Sequence, residues 1–355
     1  MRETTGYAAG SPGAPLRRWN FHRRDLRDDD VAVRILYCGV CHSDLDAIDH
    51  GDRRVFPLVP GHEFVGEVVA TGAAVTRFAA GDRVAVGNIV DSCGVCEACS
   101  AGQENYCARF PTLTYGGADR HDRTQTQGGY SAEYVVAEKF AYRVPGSLDL
   151  AGVAPLMCAG VTVWEPLRRW SVDSSSAVGV VGLGGLGHLA VKLAHALGAE
   201  VAVFTTSAAK TDDARELGAD DVIVSGDADR MAAQANRFDL ILDTASAAHD
   251  LSPYLRAVRM DGTLCCLGMT GSLEFDPLSL LIGRKSLASA GSGGTTGTQD
   301  MLDFCGEHGI TATVEVLPAH QVNNALDRLR RNDVRYRFAL DMHDHEHDRR
   351  ASLGT

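Results

Sequence analysis

Ala177-Val-Gly-Val-Val-Gly-Leu-Gly-Gly-Leu-Gly-His188 is the stretch that decides the fold. Its first five residues read as a buried strand. The next six, Gly182, Leu183, Gly184, Gly185, Leu186 and Gly187, carry a G-x-G-x-x-G spacing. Leu189 to Leu197 then has the character of a helix and stops at Gly198, and Glu200 to Phe204 is a second apolar strand. The first glycine permits a tight turn and the second lets backbone approach a pyrophosphate. The third allows the helix to lie close to the strand, and the helix N-terminus holds the anion. A glycine motif set between a strand and a helix, with a second strand at βαβ distance, predicts a dinucleotide site.

Reading outward toward the C-terminus, the end of the second strand sets which dinucleotide. An acidic residue there accepts from a ribose 2′-hydroxyl. This chain instead has Thr205, Thr206 and Ser207, followed by Lys210. Small hydroxyls and a cation suit a 2′-phosphate, so NADP(H) is expected over NAD(H). Phe238 to Asp243 and Thr263 to Gly268 are further apolar runs, each after a helix-like segment, and the alternation predicts a parallel, doubly wound sheet. Ser286 to Gln299 is rich in Gly, Ser and Thr and reads as a hinge or as a strand edge near the nicotinamide. Met301 to His308 is expected to be helical and Val334 to Asp341 a closing strand. The tail from His343 alternates histidine with acidic residues. It is expected to be disordered, with metal binding by His343, His345 and His347 as the alternative.

Reading outward toward the N-terminus, the pattern is β-rich. Val31 to Tyr37, Phe64 to Ala70 and Arg83 to Val86 read as strands, with turn signals at Cys38-Gly39, Thr71-Gly72 and Gly81-Asp82. A barrel-like region of short strands is expected. The first strand runs into Cys41, and Pro60-Gly-His-Glu63 precedes the second. Cys41, His62 and Glu63 offer a thiolate, an imidazole and a carboxylate, the donor types zinc takes. A catalytic zinc keeps three protein ligands and leaves one position for water or substrate. Cys158, on a stretch from Ala151 to Trp164 with helical spacing, is the candidate for the missing soft ligand.

Cys93, Cys96, Cys99 and Cys107 form a second group, with two x2 spacers and a short return. Four thiolates close a tetrahedron, so this lobe (91–108) is read as a structural zinc site. The nearby Asp91, Glu97 and Glu104 argue against a nucleic-acid zinc ribbon. Pro111 to Gly129 reads as a long surface loop and Tyr130 to Val136 as another strand.

A chain of 355 residues exceeds the usual size of one hydrophobic core, so two domains are expected. Thirty-four basic against 46 acidic residues give a formal charge of −12, which opposes nucleic acid and anionic membrane. The longest apolar run, Ala177 to Ala194, is interrupted by five glycines and is not read as a membrane span. The polar start and the ten cysteines point to a reducing cytoplasm in which clustered thiols bind metal.

Taken with Gly39-Val-Cys-His-Ser-Asp44, Cys158-Ala-Gly160 and Arg335-Tyr-Arg-Phe338, these motifs resemble the medium-chain, zinc-dependent alcohol dehydrogenases. The likeness is greatest to the cinnamyl alcohol dehydrogenase group and its bacterial aldehyde-reductase relatives, and it covers nearly the whole chain. It implies a GroES-like β-rich catalytic domain (1–154 and 297–355) interrupted by a Rossmann domain (155–296), in a homodimer. It implies catalytic zinc on Cys41, His62 and Cys158, with Glu63 entering or leaving the metal shell and Asp44 behind the ligands. It also implies a proton relay starting at Ser43, and cofactor contacts from His42 and from Thr205, Thr206, Ser207 and Lys210. Where many relatives end the relay on a histidine, this chain has Asp46, with His50 as a substitute. The Ser286 to Thr298 segment also departs, since relatives carry larger apolar residues there.

The expected activity is reversible reduction of an aromatic or medium aliphatic aldehyde to a primary alcohol. Phe56, Leu113, Tyr115 and Trp164 are candidate pocket walls. Two rivals stay open: 1,4-reduction of a conjugated alkene on the same scaffold, and a non-catalytic NADPH-binding regulator. Ser43 and Glu63 favour carbonyl chemistry over the first, and the complete set of metal donors opposes the second.

Overall fold

The computed structural model describes residues 1–268 and 271–343, and the chain divides into two compact units. One comprises Met1–Cys158 together with the chain from Gly293 onward; the other is Ala159–Ser292. The histidine-rich tail beyond His343 lies outside the described residues.

The first unit is built on a seven-stranded sheet. In spatial order its strands are Val314–Pro318, Arg337–Asp341, Asp30–Val40, Phe64–Thr71, Arg83–Val86 and Tyr142–Arg143, and Glu133–Ala137 also pairs with Asp30–Val40. The long central strand reads DVAVRILYCGV, apolar and β-branched, and is buried along nearly its whole length. An antiparallel hairpin, Arg2–Ala8 with Arg17–Arg23, escapes sequence reading because its alternation is masked by arginines. Cys38-Gly39 is not a turn: the strand continues to Val40 and pairs across both residues with Ala339 and Leu340. The segment 111–129 is not wholly surface loop either. Thr112–Leu113 pairs with Ile89–Asp91, and Thr112 and Thr114 are buried. The strand expected from Tyr130 begins at Glu133, because the backbone of Gly128 to Tyr130 is bonded to Val59, Pro60 and Gly61 instead.

The second unit holds a six-stranded sheet with every neighbouring pair parallel. Its order is Asp221–Val224, Glu200–Thr205, Ala177–Val181, Phe238–Asp243, Val258–Cys266, Ser286–Ser289. Counted along the chain this is 3-2-1-4-5-6, the doubly wound dinucleotide order. The GroES-like plus Rossmann architecture is therefore present. The Gly/Ser/Thr-rich segment splits into three parts. Ser286–Ser289 is the sheet edge, a short connector follows, and a helix runs over Thr295–His308, six residues before the expected start at Met301.

The stretch from Ala151 to Trp164 is not one helix. Leu150–Val153 is followed by a tight 3-10 turn, Ala154–Met157, which tolerates Pro155 in its first positions. Cys158 leaves the helical region at φ −126°, ψ −69°, and a new helix covers Ala159–Arg169. Among the described residues no single helix is long and apolar enough to cross a membrane.

Candidate active site

Strand register gathers the first group of donors. Phe338 lies opposite Val40 and Ala339 opposite Gly39, so Arg337 arrives beside Cys41. On the other edge Cys38 lies opposite Phe64, and Gly39 N–H donates to Glu63 O at 2.8 Å, which brings His62 and Glu63 to the same end of the sheet. The 3-10 turn before Cys158 packs on strands Asp30–Val40, Phe64–Thr71 and Arg83–Val86. The break at Cys158 then delivers its sulfur: Cys41 Sγ and Cys158 Sγ are 3.9 Å apart, although 117 positions separate them in sequence. Donor atoms of Cys41, His62 and Cys158 all lie within 4.8 Å of one another.

Asp44 stands behind this trio. It occupies the third position of the helix His42–His50, whose cap is Cys41, and accepts Cys41 N–H at 3.0 Å in a capping box. Its other oxygen accepts Gly61 N–H and His62 Nδ1–H, each at 3.0 Å. Asp44 and His62 are buried. A carboxylate on one ring nitrogen fixes the tautomer and leaves Nε2 as the ligand atom. Burial lowers the affinity of His62 for a second proton, but Asp44 and Cys41 outweigh it and raise the pKa. The two thiols behave as a pair: hydrogen bonding from Cys158 holds Cys41 low, and the thiolate so formed pushes Cys158 up.

Glu63 does not join the three donors. Its Oε1 accepts from Arg337 in an ion pair whose members are both buried. Gly39 makes room for that carboxylate, since a Cβ there would sit 2.4 Å from Oε1. Burial opposes the charge on Glu63 and the Arg337 guanidinium offsets it, while among the described residues Oε2 has no hydrogen-bond partner. Ser43 is half-buried with Oγ 3.7 Å from Cys41 Sγ. His42, Asp46 and His50 are exposed on the same helix. Tyr115 is at the site, its ring edge-on to His62 at 5.8 Å and its hydroxyl donating to Ser43 O at 3.1 Å. Phe56 and Leu113 are half-buried in this unit, whereas Trp164 is buried in the other. Sequence reading missed Arg337, the cation 274 positions from Glu63; Arg335-Tyr-Arg-Phe338 marks the place but not the task.

The donors fit zinc. Two sulfurs bound at 2.3 Å in a tetrahedron stand about 3.8 Å apart, which matches the Cys41–Cys158 spacing. The four-cysteine lobe fits as well: Cys93 Sγ and Cys99 Sγ are 3.8 Å apart, and all four sulfurs lie within 4.8 Å of one another. Its thiolates take backbone donors, Cys93 N–H to Cys107 Sγ and Ala108 N–H to Cys96 Sγ. Buried Glu104 ties the lobe to its own unit through Lys139 at 2.7 Å and Thr295 N–H at 2.8 Å.

In the second unit the glycine loop has a cradle. Gly182 adopts φ +87°, and a side chain on Gly187 would collide with Gly182 O. A Cβ on Gly184 would meet nothing within 4 Å, which leaves open space where a pyrophosphate approaches. Lys210 is exposed, and its Nζ donates to Leu183 O at 3.1 Å, so the ammonium rests on the loop itself. Thr205 Oγ1 accepts Ser207 N–H at 3.2 Å, while Thr206 is exposed beside them.

Comparison with known proteins agrees with this geometry. Residues 27–146 match the model of the alcohol dehydrogenase GroES-like domain, and residues 185–307 that of the zinc-binding dehydrogenases. The chain is 46% identical over 337 residues to the aldehyde reductase YahK of Escherichia coli (strain K12), covering 94% of this chain and 96% of that one. Its structure resembles the cinnamyl alcohol dehydrogenase SbCAD4 from Sorghum bicolor, with a TM-score of 0.92 and 45% identity over 96% of this chain and 98% of that one. It also resembles the cinnamyl alcohol dehydrogenase of Helicobacter pylori solved with NADP(H), with a TM-score of 0.88 and 32% identity over 96% and 98% of the two chains. With likeness running through both units at this level, the chain belongs to the zinc-binding alcohol dehydrogenase family.

Proposed function

We propose that this protein is a zinc-dependent, NADP(H)-linked oxidoreductase interconverting an aldehyde, aromatic or medium aliphatic, and its primary alcohol. The observation that carries the reading is the convergence of Cys41, His62 and Cys158, three donors of a four-cornered site. The names of the relatives, an aldehyde reductase and cinnamyl alcohol dehydrogenases, support the substrate class, and the NADP(H)-bound neighbour supports the cofactor. When bound, zinc supplies Lewis acidity to a carbonyl oxygen and the nicotinamide supplies the hydride.

The chain's own residues do the rest. Asp44 holds the His62 ring so that one nitrogen faces the sulfurs. Two thiolates balance the charge of the ion, so that a neutral alcohol can leave. Ser43 hands a proton to the nascent alcohol, and exposed Asp46, one turn along the helix, or His50 exchanges it with solvent. Arg337 keeps the Glu63 carboxylate beside the donors, from where it can enter the metal shell. Cys93, Cys96, Cys99 and Cys107 hold the structural ion. Gly182 to Gly187 cradle the pyrophosphate, and Thr205, Thr206, Ser207 and Lys210 receive the 2′-phosphate, with His42 as a further cofactor contact. A homodimer through the outer strand Ser286–Ser289 is supported by the exposed Met260, Leu281 and Ile282 in that part of the sheet unit. Location in the cytoplasm is part of the same reading.

The deciding experiment is a panel of aldehydes and conjugated enals with NADPH and NADH, with product identification. Saturated alcohols from simple aldehydes and allylic alcohols from enals are expected; saturated aldehydes from enals would replace this reading with 1,4-reduction. Lys210→Ala is expected to raise the KM for NADPH roughly tenfold, the size of one exposed or half-exposed phosphate contact, and to leave that for NADH nearly unchanged. Equal effects on both would remove the phosphate assignment.

A further inference from the structure

The carboxylate of Asp44 accepts four hydrogen bonds. Three come from the metal-donor segments themselves: Cys41 N–H, Gly61 N–H and His62 Nδ1–H. The fourth comes from Tyr130, 86 positions away, whose hydroxyl donates to Asp44 Oδ2 at 3.0 Å. Tyr130 is fully buried and has no place in the proposed reaction.

Its position is fixed from several directions. Gly128, Gly129 and Tyr130 donate their N–H groups to Val59 O, Gly61 O and Pro60 O at 2.6, 2.7 and 2.9 Å. The same strap is pinned from behind by the buried guanidinium of Arg23, which donates to Gln127 O and Gly128 O, each at 2.8 Å, and to Ser131 Oγ at 2.7 Å. Tyr7 N–H holds Tyr130 O at 2.8 Å. The ring lies so close to Gly61 that a Cβ there would be 2.6 Å from Cδ1. The hydroxyl is therefore aimed at Asp44 by rigid backbone. A donor to a buried carboxylate fixes its orientation.

We propose that Tyr130 is a positioning residue of the metal centre. By fixing Asp44 it fixes the His62 ring, and so slows loss of the ion held by Cys41, His62 and Cys158. This rests on the reading that those three residues bind zinc.

The test uses the full-length zinc-loaded protein and two variants that each remove one buried hydroxyl. Tyr130→Phe leaves Asp44 Oδ2 with Cys41 N–H as partner, so the fold is retained. Tyr134→Phe is the matched control: that hydroxyl is equally buried and donates to Thr114 O at 2.8 Å. Zinc per chain is counted first, and its release to a metallochromic chelator is then followed. The four-cysteine lobe serves as an internal clock, and a Cys158→Ser variant identifies which phase belongs to the centre. Tyr130→Phe is expected to speed release from the centre about tenfold, the low end for partners of metal ligands, with the lobe unchanged and Tyr134→Phe like the parent. Cobalt loaded at the centre is expected to show shifted d–d bands in Tyr130→Phe alone. Release from the centre at the parent rate would overturn the proposal. So would equal acceleration of centre and lobe, which means general loosening. A parent protein that binds zinc only in the lobe would overturn the metal reading beneath it as well.

Discussion

The molecule holds two thiol clusters with the same sulfur spacing and opposite construction. In the lobe, Cys93 and Cys107 are 14 positions apart and a few turns bring all four sulfurs together. In the centre, Cys41 and Cys158 are 117 positions apart and only the register of three strands and a broken helix unites them with His62. Backbone N–H groups support the lobe's thiolates. Charged side chains surround the centre: Asp44 on His62, and the buried Glu63–Arg337 pair beside it. A cluster that only has to hold an ion can be built locally and closed on all sides. One that must keep a corner free needs its donors delivered by separate elements that do not crowd that corner.

The comparison breaks most visibly at Cys158→Ala. Loss of one of three donors removes several kcal/mol of transition-state stabilisation, about a thousandfold or more in kcat/KM. Zinc is expected to fall from two ions per chain to one while the circular dichroism spectrum is kept; two retained ions would mean the centre does not need this thiol. Next is Arg337→Met. Leaving Glu63 buried without its cation costs about 3–5 kcal/mol, read in urea unfolding. Adding Glu63→Gln is expected to restore much of this, whereas the same rescue would fail if Arg337 acted only through packing.

Cys96→Ser probes the other side. It is expected to cost at least about 3 kcal/mol by loosening the structural ion, seen as a melting temperature lower by roughly 5–10 °C. Activity per folded molecule should stay within about twofold, a much smaller change than removal of a whole metal-held group brings. A collapse of turnover at constant fold would show that the lobe is part of the reaction.

The smallest effect belongs to the segment joining the two clusters. Burial raises the pKa of Asp119, but hydrogen bonds from Arg27 and from the backbone of His121 and Asp122 outweigh it and hold the group down at about 2. A depressed carboxylate stabilises the fold above its ordinary pKa and loses that contribution as pH falls through the folded value. Asp119→Asn is therefore expected to cost about 1 kcal/mol at neutral pH. The gap should close between about pH 4, the ordinary value, and about pH 2; a gap independent of pH would assign the effect to packing.

The two-part architecture and the four-cysteine lobe could be read from spacing, because each depends on short-range rules; the family rested on the resemblance of several motifs together, and Cys158 was only the candidate for a missing donor. A glycine pattern after a strand and x2 cysteine spacers specify local backbone whatever surrounds them. The hairpin Arg2–Ala8 with Arg17–Arg23 stayed hidden because its arginines, exposed at Arg17 and Arg18 and buried at Arg23, dilute the period-two signal that strand reading relies on. The helix through Cys158 looked continuous because apolar spacing cannot show where backbone dihedrals leave the helical region.

By itself the sequence determined which groups are available: six of the thiols and one imidazole in metal-binding patterns, a phosphate loop, and a strand end without a carboxylate. Tertiary structure decided how they are used. It turned Glu63 toward Arg337 and set Tyr115 against His62. It also aimed Tyr130 at Asp44 and placed Cys158 with the unit that carries the other donors. Those outcomes depend on strand register and on close approach at positions such as Gly39 and Gly61, and neither leaves a mark within the span of a motif.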